Sequence, residues 1–400
     1  MKWKSIKLED LICKPISGEW GKQITNKQDE NIVKVIRTAN FTNKGVVDYE
    51  DIVLRNIDTK KVKQKKLLYG DILVEKSGGT DKYPVGRVVF YDKNDEIYLS
   101  NNFTTIFRVK KDKIYNRFLF YYLFYNYNRG GMIKYYNKTT GIQNLKVNHL
   151  IKELQIPVPP LNIQKQIVEI LDEAQKLIDN RKKEIKLFDD LIESIFYDMF
   201  GDPVKNDKGW EVRKLGDSTE IITGNTPSRK NQENYGNYIE WIKSDNINTP
   251  YMYLTEAEEY LSEKGKEIGR TADNGSILMT CIAGSIKCIG NVAIADRKVA
   301  FNQQINAIIP LKYKLYFLYV LFITTKEYIQ NNSTSSMKGM ISKGNLSKLE
   351  FIIPPLQLQN QFAEKVQTIE KQKALLEESL KLMEDNYKSL MQRAFKGELF

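Results

Sequence analysis

Two segments of the chain share one pattern, PPLNIQKQ at residues 159–166 and PPLQLQNQ at residues 354–361. The match continues without a gap to Phe200 in the first copy and to Phe395 in the second. Because the offset between the copies stays constant, the chain contains an internal duplication. A Pro-Pro step disfavours helix on its N-terminal side and suits a first helical turn, so each copy predicts the start of a helix.

Both predicted helices carry apolar residues at alternating spacings of four and three, which is the pattern of a coiled-coil seam. The seam residues are Ile167, Leu171, Ala174, Ile178, Ile185, Phe188, Ile192, Ile195 and Met199 in the first helix, and Phe362, Val366, Ile369, Leu376, Leu380, Met383, Tyr387, Leu390 and Ala394 in the second. Arg181 interrupts the first seam and Lys373 the second. A polar seam residue can fix the register of two helices, but extension of these long side chains to the surface is the favoured interpretation.

A variable globular region precedes each helix. GDIL at residues 70–73 matches GSIL at 275–278, and NFTT at 102–105 falls near NQQI at 302–305, each after a predicted strand. Strand-like runs at residues 86–91 and 291–295 are bounded by Gly, Asn and Asp. Aromatic-rich helical runs at 117–127 and 315–322 are interpreted as core rather than as base-stacking surfaces.

The predicted fold class is α+β, with two mixed α/β domains separated by a pair of long antiparallel coiled-coil helices in a pseudo-twofold repeat. The predicted parts are a first domain at residues 1–155, a first helix at 156–200, a second domain at 201–350 and a second helix at 351–400. About 40 helical residues make a rod of roughly 60 Å, so an antiparallel pair would hold the domains at opposite ends.

Composition points to a polyanionic partner. The chain has 400 residues, and 61 Lys and Arg against 50 Asp and Glu give a net charge of +11 and a pI near 9.1. Cys13, Cys281, Cys288 and the single His149 do not have the spacing of a zinc site, so we expect no structural metal and a reducing cytoplasm. No stretch stays uncharged for the roughly 18 residues that a membrane span needs.

Motifs of an enzyme are missing from the sequence, which has no Walker A run, no Gly-rich loop for a methyl donor and no tandem metal ligands. NTPY at residues 248–251 differs from the Asn-Pro-Pro-Tyr loop of amino-methyltransferases at Thr249, and no donor site accompanies it. DEAQ at 172–175 lies inside the heptad helix and is interpreted as a solvated helix face, and His149 as a helix-edge residue. We therefore predict no catalytic residue and no cofactor.

Further motifs carry a family resemblance over essentially the whole chain. SGG at residues 77–79 with PVGR at 84–87, and TCIAGSI at 280–286 with NQQIN at 302–306, resemble segments of the target recognition domains of type I restriction-modification specificity subunits. IPVPPL at 156–161 and IIPPL at 352–356 resemble the segments that lead into the two spacer helices of that family.

The resemblance implies a non-catalytic protein that reads a two-part site in double-stranded DNA, one half with each recognition domain. It also implies two docked methyltransferase subunits that methylate adenine at N6, and restriction subunits that translocate and cut DNA. Because the two recognition domains differ strongly, it implies an asymmetric site. Two alternatives stay open, a self-sufficient DNA methyltransferase and a coiled-coil scaffold that does not bind DNA.

Candidate DNA contacts are cationic residues, which suit phosphates, and polar residues beside glycines, where the backbone can approach a ligand. In the first domain they are Lys76, Ser77, Thr80, Lys82, Arg87, Thr139 and Thr140. In the second domain they are Arg229, Lys230, Ser285, Lys287, Gln303, Gln304 and Lys338. For each residue the alternative is a solvated loop or an internal hydrogen bond, and for Asn302 it is a bond to the backbone.

Overall fold

The computed structural model describes residues 3–24, 31–80, 83–139, 142–334 and 339–400. The chain divides into two compact units, residues 1–180 with 380–400 and residues 181–379. In the described part of the chain, no helix combines the length and the apolarity needed to cross a membrane.

The first unit contains helices and short strands in alternation. Its helices are α1 (Leu8–Leu11), α2 (Thr59–Lys65), α3 (Asn116–Asn128), α4 (Val147–Glu153) and the first part of α5 (Leu161–Phe200). Its strands are β1 (Lys4–Lys7), β2 (Ile16–Ser17), β3 (Ile32–Ile36), β4 (Val53–Asn56), β5 (Ile72–Glu75), β6 (Ser77–Gly78), β7 (Val88–Phe90), β8 (Tyr98–Ser100), β9 (Thr104–Phe107), β10 (Tyr136–Thr139), β11 (Ile142–Leu145) and β12 (Gln155–Val158).

The second unit repeats this alternation. Its helices are α6 (Glu263–Ile268), α7 (Leu315–Thr324), α8 (Lys326–Asn331), α9 (Lys343–Lys348) and the first part of α10 (Leu356–Lys396). Its strands are β13 (Val212–Lys214), β14 (Thr219–Thr223), β15 (Tyr235–Gly236), β16 (Ile239–Ile242), β17 (Tyr260–Leu261), β18 (Thr271–Ala272), β19 (Ile277–Thr280), β20 (Ile282–Ala283), β21 (Val292–Ile294), β22 (Val299–Phe301), β23 (Ile305–Pro310), β24 (Gly339–Met340) and β25 (Glu350–Ile352).

The central sheet has the same topology in both units. The central antiparallel sheet has the order β2-β9-β5-β7 in the first unit and β14-β23-β19-β21 in the second. A parallel pair, β3 with β8 and β16 with β22, accompanies it in each unit, and the strand before each Pro-Pro step pairs with the first strand of its unit. The predicted α+β class with an internal repeat is confirmed.

A buried glutamine holds the start of each long helix. The Gln164 Nε2 donates to the carbonyl of Pro159 at 2.8 Å. Its Oε1 accepts at 2.8 Å from the N–H of Tyr115, the residue before α3. In the second copy, the Gln359 Nε2 donates to the Pro354 carbonyl at 2.8 Å, and its Oε1 accepts at 2.9 Å from the N–H of Lys314, the residue before α7. Both side chains are fully buried. The first turn of α5 is therefore held to α3, and the first turn of α10 to α7. Both long helices begin directly after Pro-Pro, as predicted.

Aromatic residues of α3 and α7 form the cores, as predicted. In the first unit, Phe395 of α10 packs against Phe118 and Tyr122 with ring centroids 5.5 and 5.3 Å apart. In the second unit, Phe200 of α5 packs at 4.8 Å against Phe317. Burial of each such ring contributes about 1.5–3 kcal/mol, so the repeated phenylalanines at the helix ends anchor each helix to a unit.

The heptad seam is observed within each unit. In the first unit, Ile167 and Leu171 of α5 share a core with Ala394 of α10. In the second unit, Ile192 of α5 shares a core with Phe362 of α10. The beginning of one helix thus packs with the end of the other, so the pairing is antiparallel.

Two expectations about polar helix residues were wrong. The side chain of Lys373 is only 5 % exposed and does not extend to the surface, because its Nζ donates to Asp189 Oδ1 of α5 at 2.5 Å. Asp172 is not merely solvated, since its carboxylate accepts from Arg117 Nε at 2.8 Å and from the Tyr121 hydroxyl. Each carboxylate instead connects α5 to another helix of its unit.

We expect Asp189→Ala to lower the free energy of unfolding by about 1–3 kcal/mol, because it removes the hydrogen-bonded partner of the buried Lys373 ammonium and leaves, among the described residues, only Glu370, at 4.0 Å. We expect Lys373→Met to cost less than about 1 kcal/mol, because Asp189 is 45 % exposed and can be hydrated and because Glu370, whose pKa burial already raises, can take up a proton. Urea unfolding of the purified chain measures both. Arg181→Met, at the other polar seam position, is the matched control. Equal losses for both variants would contradict the argument from desolvation.

Candidate nucleic-acid interface

A three-stranded sheet, β10-β11-β6, brings together predicted residues of the first unit that are distant in sequence. Ser77 of β6 lies opposite Asn144 of β11, and its hydroxyl donates to Asn144 Oδ1 at 2.7 Å. The backbone of Thr139 pairs with that of Ile142 at the end of the β10–β11 hairpin. The side chain of Thr139 and the whole of Lys82 and Thr140 lie outside the described residues.

The loop after β6 is built from glycines and a buried amide. Gly79 has a φ of +71°, and a Cβ there would lie 2.5 Å from the Val85 nitrogen. That N–H donates at 2.8 Å to Oε1 of Gln143, which is 2 % exposed. Exposed Thr80 closes the loop, because its hydroxyl accepts from the Tyr83 N–H at 3.0 Å. The glycine segment is therefore a fixed platform rather than a free loop.

Lys76 is half-buried at the base of this platform, and its Nζ donates to the Ser17 hydroxyl at 2.7 Å. Burial, with a smaller contribution from Lys65, lowers the pKa of Lys76. An approaching phosphate would offset the cost of holding this ammonium away from water. Lys76 is thus suited to an anionic partner.

Arg87 is engaged inside the unit. Its Nε and Nη2 each donate at 2.9 Å to the carboxylate of Glu75, whose side chain is only 1 % exposed. The guanidinium also donates to the carbonyls of Phe41 at 3.1 Å and Thr38 at 3.0 Å. Four of the five N–H donors of an arginine are therefore used internally, and the geometry gives Arg87 a structural role.

The equivalent surface of the second unit lies beside the pair β20 and β24, in which Ala283 faces Gly339. The following residues, from Gly284 to Lys287, are exposed. The Ser285 hydroxyl accepts from the Lys287 N–H at 3.3 Å and so shapes the turn, while the Lys287 side chain is exposed. Lys338 lies outside the described residues.

Gln303 and Gln304 lie in a turn next to β20. The carbonyl of Gln304 accepts from the Cys281 N–H at 2.8 Å. Buried Asn302 holds the turn, since its Oδ1 accepts from the Gln304 N–H at 2.9 Å, which confirms the backbone role considered for it. Gln303 is exposed and its Oε1 accepts from the Thr226 hydroxyl.

Arg229 belongs to a cluster of cations and aromatic rings. Its guanidinium donates to both oxygens of Glu259 at 2.9 Å and lies over the rings of Tyr235 and Trp241, at 4.8 and 5.2 Å. Hydrogen bonds from Arg229 and Lys243 lower the pKa of Glu259 to about 2. Glu259 thus compensates the charge of Arg229, whereas the next residue, Lys230, is exposed in a turn.

The structure also corrects the sequence match between the two turns by one residue. Asn101, not Asn102, is the counterpart of Asn302, because the N–H of each donates to the end of a neighbouring strand, at Ile36 and Ile242 respectively. Asn102 and Phe103, both exposed, therefore occupy the positions of Gln303 and Gln304. They were not among the predicted contacts, because the turns share no side-chain pattern beyond the asparagine.

A protein-family model described as "Type I restriction modification DNA specificity domain" matches the chain twice, at residues 1–187 and 207–384. The putative type I restriction enzyme MjaX specificity subunit of Methanocaldococcus jannaschii is 23% identical over 393 residues, covering 92% of this chain and 87% of that protein. The HindI specificity subunit of Haemophilus influenzae is 30% identical over 174 residues, covering 40% of this chain and 36% of that protein.

Two solved structures share the fold over nearly the whole chain. One, described as the structural basis of complex assembly and conformational transition of the type I R-M system, has a TM-score of 0.58 and 14% identity, covering 99% of this chain and 98% of that chain. The other, a type I restriction-modification S subunit from M. genitalium, has a TM-score of 0.53 and 14% identity, covering 99% of this chain and 96% of that chain.

Proposed function

Because the chain belongs to the family defined by the type I restriction-modification DNA specificity domain, a family of non-catalytic subunits, we propose that it reads an asymmetric, two-part DNA site, one half with each unit. The observation that carries the proposal is one scaffold, built twice, that presents different side chains at equivalent turns. Ser77 and Thr80 of the first unit correspond to Ile282 and Ser285 of the second. Asn102 and Phe103 likewise correspond to Gln303 and Gln304.

Phosphate and base contacts fall to different residues in this proposal. Lys76, Lys230 and Lys287 contact phosphates, which fixes position without giving sequence preference. Gln303 and Gln304 read base edges, and adenine is their natural target because a glutamine amide can pair with its N6 and N7. Lys82, Thr139, Thr140 and Lys338 stay candidate contacts.

Specificity subunits of these systems bind DNA and assemble with other subunits. In this chain, the long helices set the distance between the half-sites and bind two adenine-N6 methyltransferase subunits, and restriction subunits join that assembly. Leu187 in the second unit and Leu382 in the first support the docking of two copies of one partner. They occupy the same position in the duplicated helices and are 63 % and 60 % exposed. The free thiols of the chain suit a cytoplasmic location.

We expect replacement of both Gln303 and Gln304 by alanine to abolish discrimination at one half-site and to leave the other unchanged. Within the part of the chain that the structure describes, the glutamine side chains accept only from Thr226 and from Asn302 Nδ2, whereas backbone groups and Asn302 Oδ1 hold the turn. The loss should therefore be mainly of base contacts, worth about 5- to 150-fold in affinity per lost pairing. Binding is measured with the methyltransferase present, on DNAs altered in one half at a time. The matched control is Lys287→Ala, which should weaken binding to all sequences alike. Loss of discrimination in both halves would contradict the division between two units.

A further inference from the structure

The turn after β8 carries an exposed aromatic residue where the second unit has a glutamine. Phe103 is 48 % exposed, and its carbonyl accepts from the Lys76 N–H at 2.8 Å, as that of Gln304 accepts from Cys281 at 2.8 Å. Both turns close with a hydrogen bond of the same type, from Thr104 to Asn101 at 3.1 Å and from Ile305 to Asn302 at 3.2 Å. The two residues therefore occupy the same place on the same scaffold.

A glycine packs against each turn at very short range. A Cβ on Gly18 would lie 1.9 Å from the Asn101 carbonyl oxygen, and one on Gly224 would lie 2.1 Å from that of Asn302. The Gly18 N–H also donates to the Thr104 carbonyl at 3.2 Å, and the Gly224 N–H to that of Ile305 at 3.0 Å. The backbone of each turn is therefore fixed on both sides, and the side chain at its tip is the part that differs.

Phe103 has a lysine and a polar residue as neighbours at this turn. The backbone N–H of half-buried Lys76 holds the Phe103 carbonyl, and exposed Asn102 precedes Phe103 in the chain. A lysine and an exposed apolar side chain at one turn suit a phosphate and a base edge. The apolar feature that a base edge offers in the major groove is the 5-methyl group of thymine.

We infer that Phe103 reads a thymine in the half-site of the first unit by contact with its 5-methyl group, an inference that rests on the proposed function. The ring of Phe103 takes the place that a glutamine takes in the second unit, so the two units prefer different bases through one position. Asn102 precedes it as Gln303 precedes Gln304, and contributes polar contacts beside the methyl group.

The test first identifies the natural site by methylome sequencing of cells that express the chain with its methyltransferase. The half-site of the first unit is the one that the Gln303/Gln304 double variant leaves unchanged. Each thymine in that half is then replaced by deoxyuridine, which removes only the methyl group. Binding of the chain with its methyltransferase is compared for wild type, Phe103→Ala and Phe103→Leu.

We expect one deoxyuridine to weaken wild-type binding about fourfold, as befits one buried methyl group. Phe103→Ala should bind the thymine site at least that much more weakly and show no further loss with deoxyuridine, while Phe103→Leu keeps part of the sensitivity. Gln304→Ala, the matched variant in the second unit, should keep the full sensitivity to deoxyuridine in the half-site of the first unit.

Three results would overturn the inference while leaving the proposed function intact. The first is a half-site without A·T pairs, and the second is tolerance of deoxyuridine at every thymine of that half-site. The third is a Phe103→Ala variant that keeps full sensitivity to the methyl group. Failure of the wild-type complex to select any DNA sequence would instead overturn the proposed function, and the inference with it.

Discussion

Replacement of Arg87 by alanine is expected to lower the free energy of unfolding of the first unit by about 3–5 kcal/mol, the usual cost of removing one partner of a buried ion pair. The change leaves the Glu75 carboxylate, 1 % exposed, without the bidentate donor that compensates its burial. It also removes the donors to the carbonyls of Thr38 and Phe41. Any loss of DNA binding by the first unit should follow from this loss of stability, not from the loss of a base contact.

Urea unfolding and DNA binding of the same purified protein test this expectation together. Arg87→Lys should recover only part of the stability, because an ammonium cannot reproduce the two parallel bonds of the guanidinium. The double variant Arg87→Met with Glu75→Leu, which removes both charges, should be more stable than Arg87→Ala. A fully stable Arg87→Ala protein that has lost discrimination in one half-site would instead assign Arg87 to DNA.

Adding seven residues to both long helices is expected to lengthen the preferred gap between the half-sites by about three base pairs, with a loss of about a hundredfold or more on the natural site. One heptad preserves the seam and adds roughly 10 Å of helix. That length corresponds to about three base pairs at roughly 3.4 Å each. The insertions belong after Asn180 in α5 and after Ser379 in α10, where the chain passes from one unit to the other.

The added base pairs also rotate one half-site relative to the other around the DNA axis. Three base pairs turn the second half-site by about 100°, so a lengthened protein binds its new site weakly unless DNA or helices twist to compensate. A series of sites whose gap grows by one pair at a time, measured with methyltransferase present, resolves the shift. An insertion in α5 alone breaks the seam and should abolish binding to every site in the series. Full affinity with an unchanged gap would show that the helices do not set the spacing.

The sequence was sufficient to predict the duplication, the helix starts and the seam, because these follow from local periodicity and from the backbone restriction of proline. It could not place Lys373, because the identity of the residue facing a seam position depends on which part of α5 pairs with it. Nor could it identify the internal partners of Arg87, because Glu75 lies at the end of β5 and the remaining acceptors are carbonyl groups. Backbone carbonyl groups exist at every residue and therefore leave no pattern in the sequence.

The same limit applies to the candidate site. Glycines and polar residues in the sequence predicted candidate segments, and the structure brings one of them, residues 77–78, beside residues 142–145 in the β10-β11-β6 sheet. The equivalence of Phe103 with Gln304 depends on the backbone of a turn, because only hydrogen bonds identify Asn101 as the shared residue.

The glutamines at the helix starts bear on how new specificities arise. Gln164 and Gln359 hold their units only through main-chain groups, the N–H of Tyr115 and of Lys314 and a proline carbonyl. This joint by itself does not depend on the side chains of the attached domain, whereas the packing of Phe395 on Phe118 and Tyr122 does. A domain exchanged onto either helix would therefore need one backbone N–H in the same place and an aromatic helix that packs against the same phenylalanine.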